Sequence, residues 1–378
     1  MARAHRQDHL SGTGAPGWLR FVLLIPALLA ILAALWAGLQ RLGWDVPALR
    51  PGLAAAHGPL MISGFLGTLI TLERAVALGS RWTYGAPALA GLGSLALLIG
   101  LPDPVGVLGM TLGSAGLVAI FGLVVFRHPA LHTITLWLGA LSWFGGNILW
   151  LAGQPLLRVV PWWMAFLVLT IMGERLELAR LLRLSRGGYT AYIAAVGALL
   201  AGLAAVLLDF DTGTRIAGLA FTALALWLGR YDIARRRLRQ GGLTRFIAVS
   251  LLAGYGWLAV GGILALVGGG VPAGPQRDAM LHAVFVGFVF SMIFGHAPVI
   301  FPAVLGRPVV FRPRFYMHLV LLHASLLLRI AADVAGWMPG RQWGGLLNVA
   351  AVLLFLPITA GATLQAPSSG ARATSPAE

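Results

Sequence analysis

Residues 54–79 read AAAHGPLMISGFLGTLITLERAVALG, and residues 280–306 read MLHAVFVGFVFSMIFGHAPVIFPAVLG. Each run is apolar and longer than the ~20 residues that cross ~30 Å of hydrocarbon. Each also carries a histidine near its start, His57 in the first and His282 in the second. The two runs are in register: Arg20-Phe21 recurs as Arg245-Phe246 at an offset of 225 residues, and the same offset carries His57 onto His282. A repeated unit therefore places two imidazoles at one position of two different helices.

The rest of the chain is built in the same way. Of 378 residues, 58% are hydrophobic and 10% charged, and the mean hydropathy is +0.85, more apolar side chain than a water-soluble surface can hide. About twelve spans follow, near 18–39, 53–78, 85–101, 104–126, 130–152, 159–183, 189–208, 212–229, 243–267, 278–305, 315–335 and 343–363. They are read as helices, because lipid leaves no water to satisfy a bare backbone and the runs lack the alternation of barrel strands. The fold class expected is all-α: one transmembrane domain over 18–363, between a cytoplasmic tail at 1–17 and a disordered cytoplasmic tail at 364–378.

All 27 basic residues are arginine. In a soluble protein the formal charge of +15 would point to nucleic acid; here it records topology. With both termini inside, only Arg41, Arg50, Arg158, Arg215, Arg277 and Arg341 fall outside, and Arg329 lies within a span, as the positive-inside rule demands of a bacterial inner-membrane protein. The lipid bilayer is thus the first partner, and nucleic acid is excluded. The chain has no cysteine, which removes disulfides, thiolate metal sites and covalent haem attachment. The segment RYDIARRRLRQGGLTR, 230–245, is read as a loop facing lipid headgroups. Trp82, Trp162, Trp163 and Trp343 are read as an interfacial belt.

The repeat has a period of four helices. LGALSWFGGNILWLAG of the fifth span echoes LAGYGWLAVGGILALVGG of the ninth, Trp143 matching Trp257. Spans two, six and ten end alike, as ERAVALGSR, ERLELARLLR and HAPVIFPAVLGRP. Three four-helix units of one orientation give a closed ring with pseudo-threefold character.

His57 and His282 each lie about four residues inside the outer boundary, roughly 6 Å down at 1.5 Å per residue. Two imidazoles at equal depth on separate helices are what a metal plane between them requires, and an apolar helical pocket would exclude water from it. Haem held non-covalently by this pair is the reading. In the middle unit a third histidine would fall near Leu167, which is apolar. Arg329 and Asp333, four apart on one helix face, pair with each other, or Arg329 joins Arg341 in binding haem propionates. Towards the other side lie His296, His132, His318 and His323, the candidate ligands of a second metal or haem. Glu73-Arg74 and Glu174-Arg175 form either an ion-pair layer or a proton entry route.

The architecture resembles subunit I of the haem-copper oxidases, whose equivalent two helices hold a low-spin haem; the resemblance carries that role onto His57 and His282. The copper-binding histidine motifs of that family have no counterpart in WWMAFLVLTIMGERLELARLL or YTAYIAAVGALLAGLAAVLL, and Leu281 and Ala283 flank His282. An oxygen reductase is not expected. HTITLWLGALSWFGGNILWL, FLVLTIMGERLELARLL and LHAVFVGFVFSMIFGHAPVIFPAVLGRP look like the NnrS-type haem- and copper-containing membrane proteins. That resemblance implies a role in nitric oxide metabolism or nitrosative-stress tolerance, with copper as a further cofactor, nitric oxide as a gaseous ligand and a quinol or cytochrome as electron donor. The FGHAPVIFP segment departs from the pattern of that family around His296. A polytopic transporter, or a membrane factor that handles haem or copper, remains the alternative.

Overall fold

The computed structural model describes residues 17–179, 184–305 and 309–364; both expected tails lie almost wholly outside them. Among the described residues every regular element is helical, and twelve long helices follow one another: α1 Gly17–Arg41, α2 Leu53–Leu78, α3 Gly85–Ile99, α4 Asp103–Arg127, α5 Leu131–Leu151, α6 Leu156–Ala179, α7 Arg186–Leu208, α8 Phe210–Tyr231, α9 Gly242–Gly268, α10 running from Pro275 to Leu305, α11 Phe315–Ala335 and α12 Met338–Leu364. Eleven are long and apolar enough to cross a membrane. Large apolar side chains such as Phe126, Leu208, Leu226 and Leu327 point outward, a surface suited to lipid. The protein is an all-helical, multi-pass membrane protein.

The helix that falls short of the apolar criterion is α8, which carries Asp211 and Arg215 near one end and Arg230 near the other. It still runs antiparallel to both neighbours. Gly202 of α7 faces Ala217 while Gly213 faces Val206, and Gly218 faces Leu266 of α9 while Gly262 faces Thr222. Small residues at these crossings let backbones approach where lipid supplies no hydrophobic drive. Its start is capped, Asp209 accepting from the Thr212 N–H at 2.9 Å, and in its first turns Arg215 pairs with Asp211 at 2.7 Å.

The second helix of each four-helix unit comes to the centre. α2 meets α10 where the His57 and His282 rings face each other, Arg74 of α2 pairs with Glu174 of α6, and α6 packs against α10. The ring closes through contact of α12 with α1. Both histidine-bearing helices depart from regular α geometry beside the histidine. In α2 a turn His57–Pro59 leads into a π-helical stretch Leu60–Gly67; in α10 the helix Pro275–His282 leads into a π-helical stretch Ala283–Phe290. π-Helical turns are rare and gather at functional sites, because they widen the helix and re-aim the side chains on either side. Phe65 and Phe290, again 225 residues apart, stack at 6.4 Å. The two helices therefore run parallel and level.

One expected belt residue faces the protein interior and not its surface. α6 begins at Leu156, three residues before the expected start, so Trp163 sits a turn deeper and is fully buried against Gly146. Trp82 and Trp343 remain exposed. Trp163 instead donates to Asn147 Oδ1 at 2.9 Å, in a buried knot where Ser63 donates to the same oxygen at 3.2 Å and accepts from Trp143 Nε1 at 3.0 Å. Asn147 Nδ2 donates to Ser114 at 3.1 Å. A buried polar network with its members paired fixes one packing, and this one pins the π-helical part of α2 to α4, α5 and α6.

Candidate functional site: a histidine-faced cavity

Two imidazoles meet across the bundle. The ring centroids of His57 and His282 are 6.4 Å apart and the planes differ by 23°. His57 Nδ1 is 2.7 Å from the Ala34 carbonyl of α1, and His282 Nδ1 is 2.9 Å from the Asp278 carbonyl. A carbonyl oxygen only accepts, so each Nδ1 carries the proton and each Nε2 keeps its lone pair. Gly38 makes the first of these bonds possible: a Cβ there would stand 3.0 Å from His57 Cε1 and 3.1 Å from Nδ1.

Both rings open onto a cavity of about 390 Å³, within the size range of small-molecule and cofactor sites. Leu35, Met61, Leu66, Phe285 and Phe290 line its apolar part, and Arg41, Arg277, Arg329, Arg341 and Asp278 its polar part. Arg329 clasps Asp278 through Nε at 2.9 Å and a second nitrogen at 3.1 Å. Arg341 reaches Asp278 at 3.3 Å and Asp333 at 3.0 Å. The i, i+4 pair expected between Arg329 and Asp333 is therefore not made: the helix packing offers Arg329 the carboxylate of α10, and Asp333 takes Arg341. Among the described residues, Arg41 and Arg277 have no carboxylate partner. Arg41 donates to the Ala54 carbonyl at 3.5 Å; Arg277 donates to the Val271 carbonyl at 3.4 Å and lies over the Phe210 ring. Four guanidinium groups thus face two carboxylates. Asn348, also on the cavity wall, donates to Ser325 at 2.6 Å and leaves its Oδ1 without a partner.

Arg41, Arg277, Asp278, Asn348 and Gly38 are site residues that the sequence reading passed over. For Asp278 a signal was present, since it lies four residues before His282 and so shares its helix face. The two arginines had been counted for topology alone.

The other candidate ligands do not assemble. Among the described residues no group of three or more histidine or acidic side chains is placed to hold a metal ion. His318 is fully buried between Phe294, Phe315, Phe246 and Phe355, and neither of its ring nitrogens is hydrogen-bonded. His323 Nδ1 accepts from Trp257 at 2.9 Å. His296 Nδ1 donates to the Met292 carbonyl at 2.7 Å, and His132 stands in the first turn of α5. At that end, Arg74 joins Glu73 and Glu174, and Arg175 lies 3.5 Å from the buried Asp232.

Fold and site define a class: a polytopic all-helical membrane protein with a cavity faced by two histidines and rimmed by arginine. Residues 20–364 match the family described as a domain of unknown function, DUF8744, and the chain belongs to it. No curated protein and no solved structure matches the chain.

Proposed function

We propose that this protein binds one haem between His57 and His282, in an inner membrane with both termini cytoplasmic, and serves a redox or gas-handling role linked to nitric oxide. The observation that carries the haem reading is the geometry of the two rings. Two metal–nitrogen bonds of about 2 Å plus the half-width of each imidazole separate ring centroids by about 6 Å, and the separation here is 6.4 Å. Each Nδ1 is anchored to a carbonyl, the outer-sphere partner that fixes a ligating histidine's tautomer and aim.

The cavity suits the rest of the group. Haem is an apolar plane with two carboxylates on one edge, and the cavity has an apolar part and a rim of four guanidinium groups that share two carboxylates, Asp278 on the rim and Asp333 paired with Arg341. Arginine's planar fork favours such partners. When bound, haem supplies a reversible one-electron couple, and its potential follows the axial ligands, their hydrogen bonds and the exclusion of water. The chain's own part would be to hold two neutral imidazoles level, to keep their lone pairs inward and to shield them with Phe285 and Phe290 of the cavity wall. With His57 and His282 both engaged, the site would favour electron transfer over gas binding at rest. The nitric oxide link rests on the likeness of residues 132–151, 166–182 and 281–308 to the NnrS-type proteins, and the arginine distribution supports the orientation.

The test is the absorption spectrum of protein purified in detergent after expression with ample haem, oxidised and reduced, with haem counted per chain. A sharp reduced spectrum at one haem per chain, abolished in His282→Ala, is expected. A colourless, folded protein would overturn the reading and bring the transporter forward.

A further inference from the structure

The two histidines are not held alike, although the repeat makes them equivalent. His282 closes the regular helix Pro275–His282, and its Nδ1 lies 2.9 Å from the Asp278 carbonyl and 3.3 Å from Asp278 Oδ1. That carboxylate is clamped in turn by Arg329 and Arg341. A carboxylate behind a ligating imidazole raises its basicity and fixes its ring. His57 has one neutral carbonyl, on another helix, and no carboxylate. The chain before it is irregular: Gly52 turns at φ 74°, four residues of 3-10 helix follow, and His57–Pro59 is a single turn before the π-helical stretch. The wall beside it is open, since a methyl group built at Gly58, which lines the cavity, would meet nothing within 4 Å.

We infer that His57 is the exchangeable ligand of the pair, and that a neutral diatomic molecule such as carbon monoxide takes its place on ferrous iron while His282 stays. This rests on the haem reading above and supplies what that reading lacks, a route by which a site closed at rest handles a gas. The exchange breaks one iron–Nε2 bond and forms one iron–diatomic bond; the iron stays ferrous, and neither proton nor electron is consumed. The released imidazole gives up its Ala34 bond and swings into the space beside Gly58.

The experiment adds carbon monoxide to the reduced, purified protein as wild type, His57→Ala, His282→Ala and Gly38→Ala, and reads two quantities: the carbon monoxide difference spectrum, and haem per chain after gel filtration. His57→Ala is expected to keep its haem and bind carbon monoxide at every site. His282→Ala is expected to lose its haem. In Gly38→Ala the new methyl pushes the His57 ring off the Ala34 carbonyl, so the carbon monoxide affinity of a haem-replete protein is expected to rise about fivefold, the factor carried by one ordinary hydrogen bond. Equal loss of haem in both histidine variants, or haem kept by His282→Ala and lost by His57→Ala, overturns the inference while leaving the haem reading in place. Should His57→Ala fail to fold, Gly38→Ala decides, and an unchanged affinity there counts against the exchange. A wild type without haem removes the haem reading itself.

Discussion

The two ends of the helical bundle both bury charge, and they balance it differently. At the end away from His57 and His282, Arg74 bridges Glu73 and Glu174, and Arg175 faces Asp232. Each of these cations has a carboxylate from a neighbouring helix or its cap, as charges in lipid require. At the histidine end, Asp278 and Asp333 occupy Arg329 and Arg341, while Arg41 and Arg277 face the cavity with carbonyl and aromatic partners. A charge layer that closes on itself holds helices together; one that leaves cations over a cavity is arranged for an anion.

The contrast can be broken in several ways. The largest effect is expected from His282→Ala: loss of nearly all haem absorbance, with the circular dichroism of the helices retained. Next is Asp278→Ala, which strands the buried Arg329 guanidinium and removes the carboxylate behind His282. Breaking a buried pair from one side costs about 3–5 kcal/mol, and a lowered midpoint in detergent-mediated unfolding would report it.

Arg277→Gln sharpens the comparison more than it tests stability. This arginine lacks a carboxylate of its own, so the folded protein is expected to be no less stable without it, while haem affinity falls about tenfold, the value of one charge-assisted hydrogen bond of about 1.5 kcal/mol. A haem-transfer competition assay reads this directly. At the opposite end the order reverses. Arg74→Ala is expected to cost about 1 kcal/mol, since its pair is part-exposed, and to leave the haem spectrum and affinity unchanged. A shift in the spectrum would show that the two ends are coupled.

The smallest effect concerns pH. Asp209, in the turn between α7 and α8, is held below the usual carboxylate range by the Thr212 side chain and N–H. A group with a depressed folded pKa stabilises above its unfolded value and loses that contribution as pH falls through the folded one. Faster amide exchange in the first turn of α8 below the ordinary carboxylate range is the expected signature, and it should be absent in Asp209→Asn.

Much of this was legible in the sequence, for reasons that differ from residue to residue. Apolar runs of span length mark the helices because lipid allows little else, and the α2 limits 53–78 are those observed. The 225-residue offset puts His57 and His282 on equivalent helices; that their rings meet depended on both helices reaching the centre of the bundle, which a span list does not contain. The Arg329–Asp333 spacing was read on one helix, and the packing of α10 against α11 gave each side chain another partner. Trp163 looked interfacial because the start of α6 was placed three residues late. Gly38 could not be seen at all, since its part is an empty volume filled by the His57 ring. His296, His132, His318 and His323 share a residue type and a rough depth, and ligation also needs convergence, which three-dimensional packing alone decides.

The central claim, that His57 and His282 together hold one haem, is tested most directly by electron paramagnetic resonance of the oxidised, purified protein. The interplanar angle of 23° sets the two imidazole planes close to parallel, an arrangement that would split the d orbitals of an iron held between them. The account predicts a single low-spin, rhombic ferric signal at one per chain, lost in His282→Ala and converted to high-spin in His57→Ala. A wild type with a high-spin signal alone, or a low-spin signal that survives both substitutions, would contradict it.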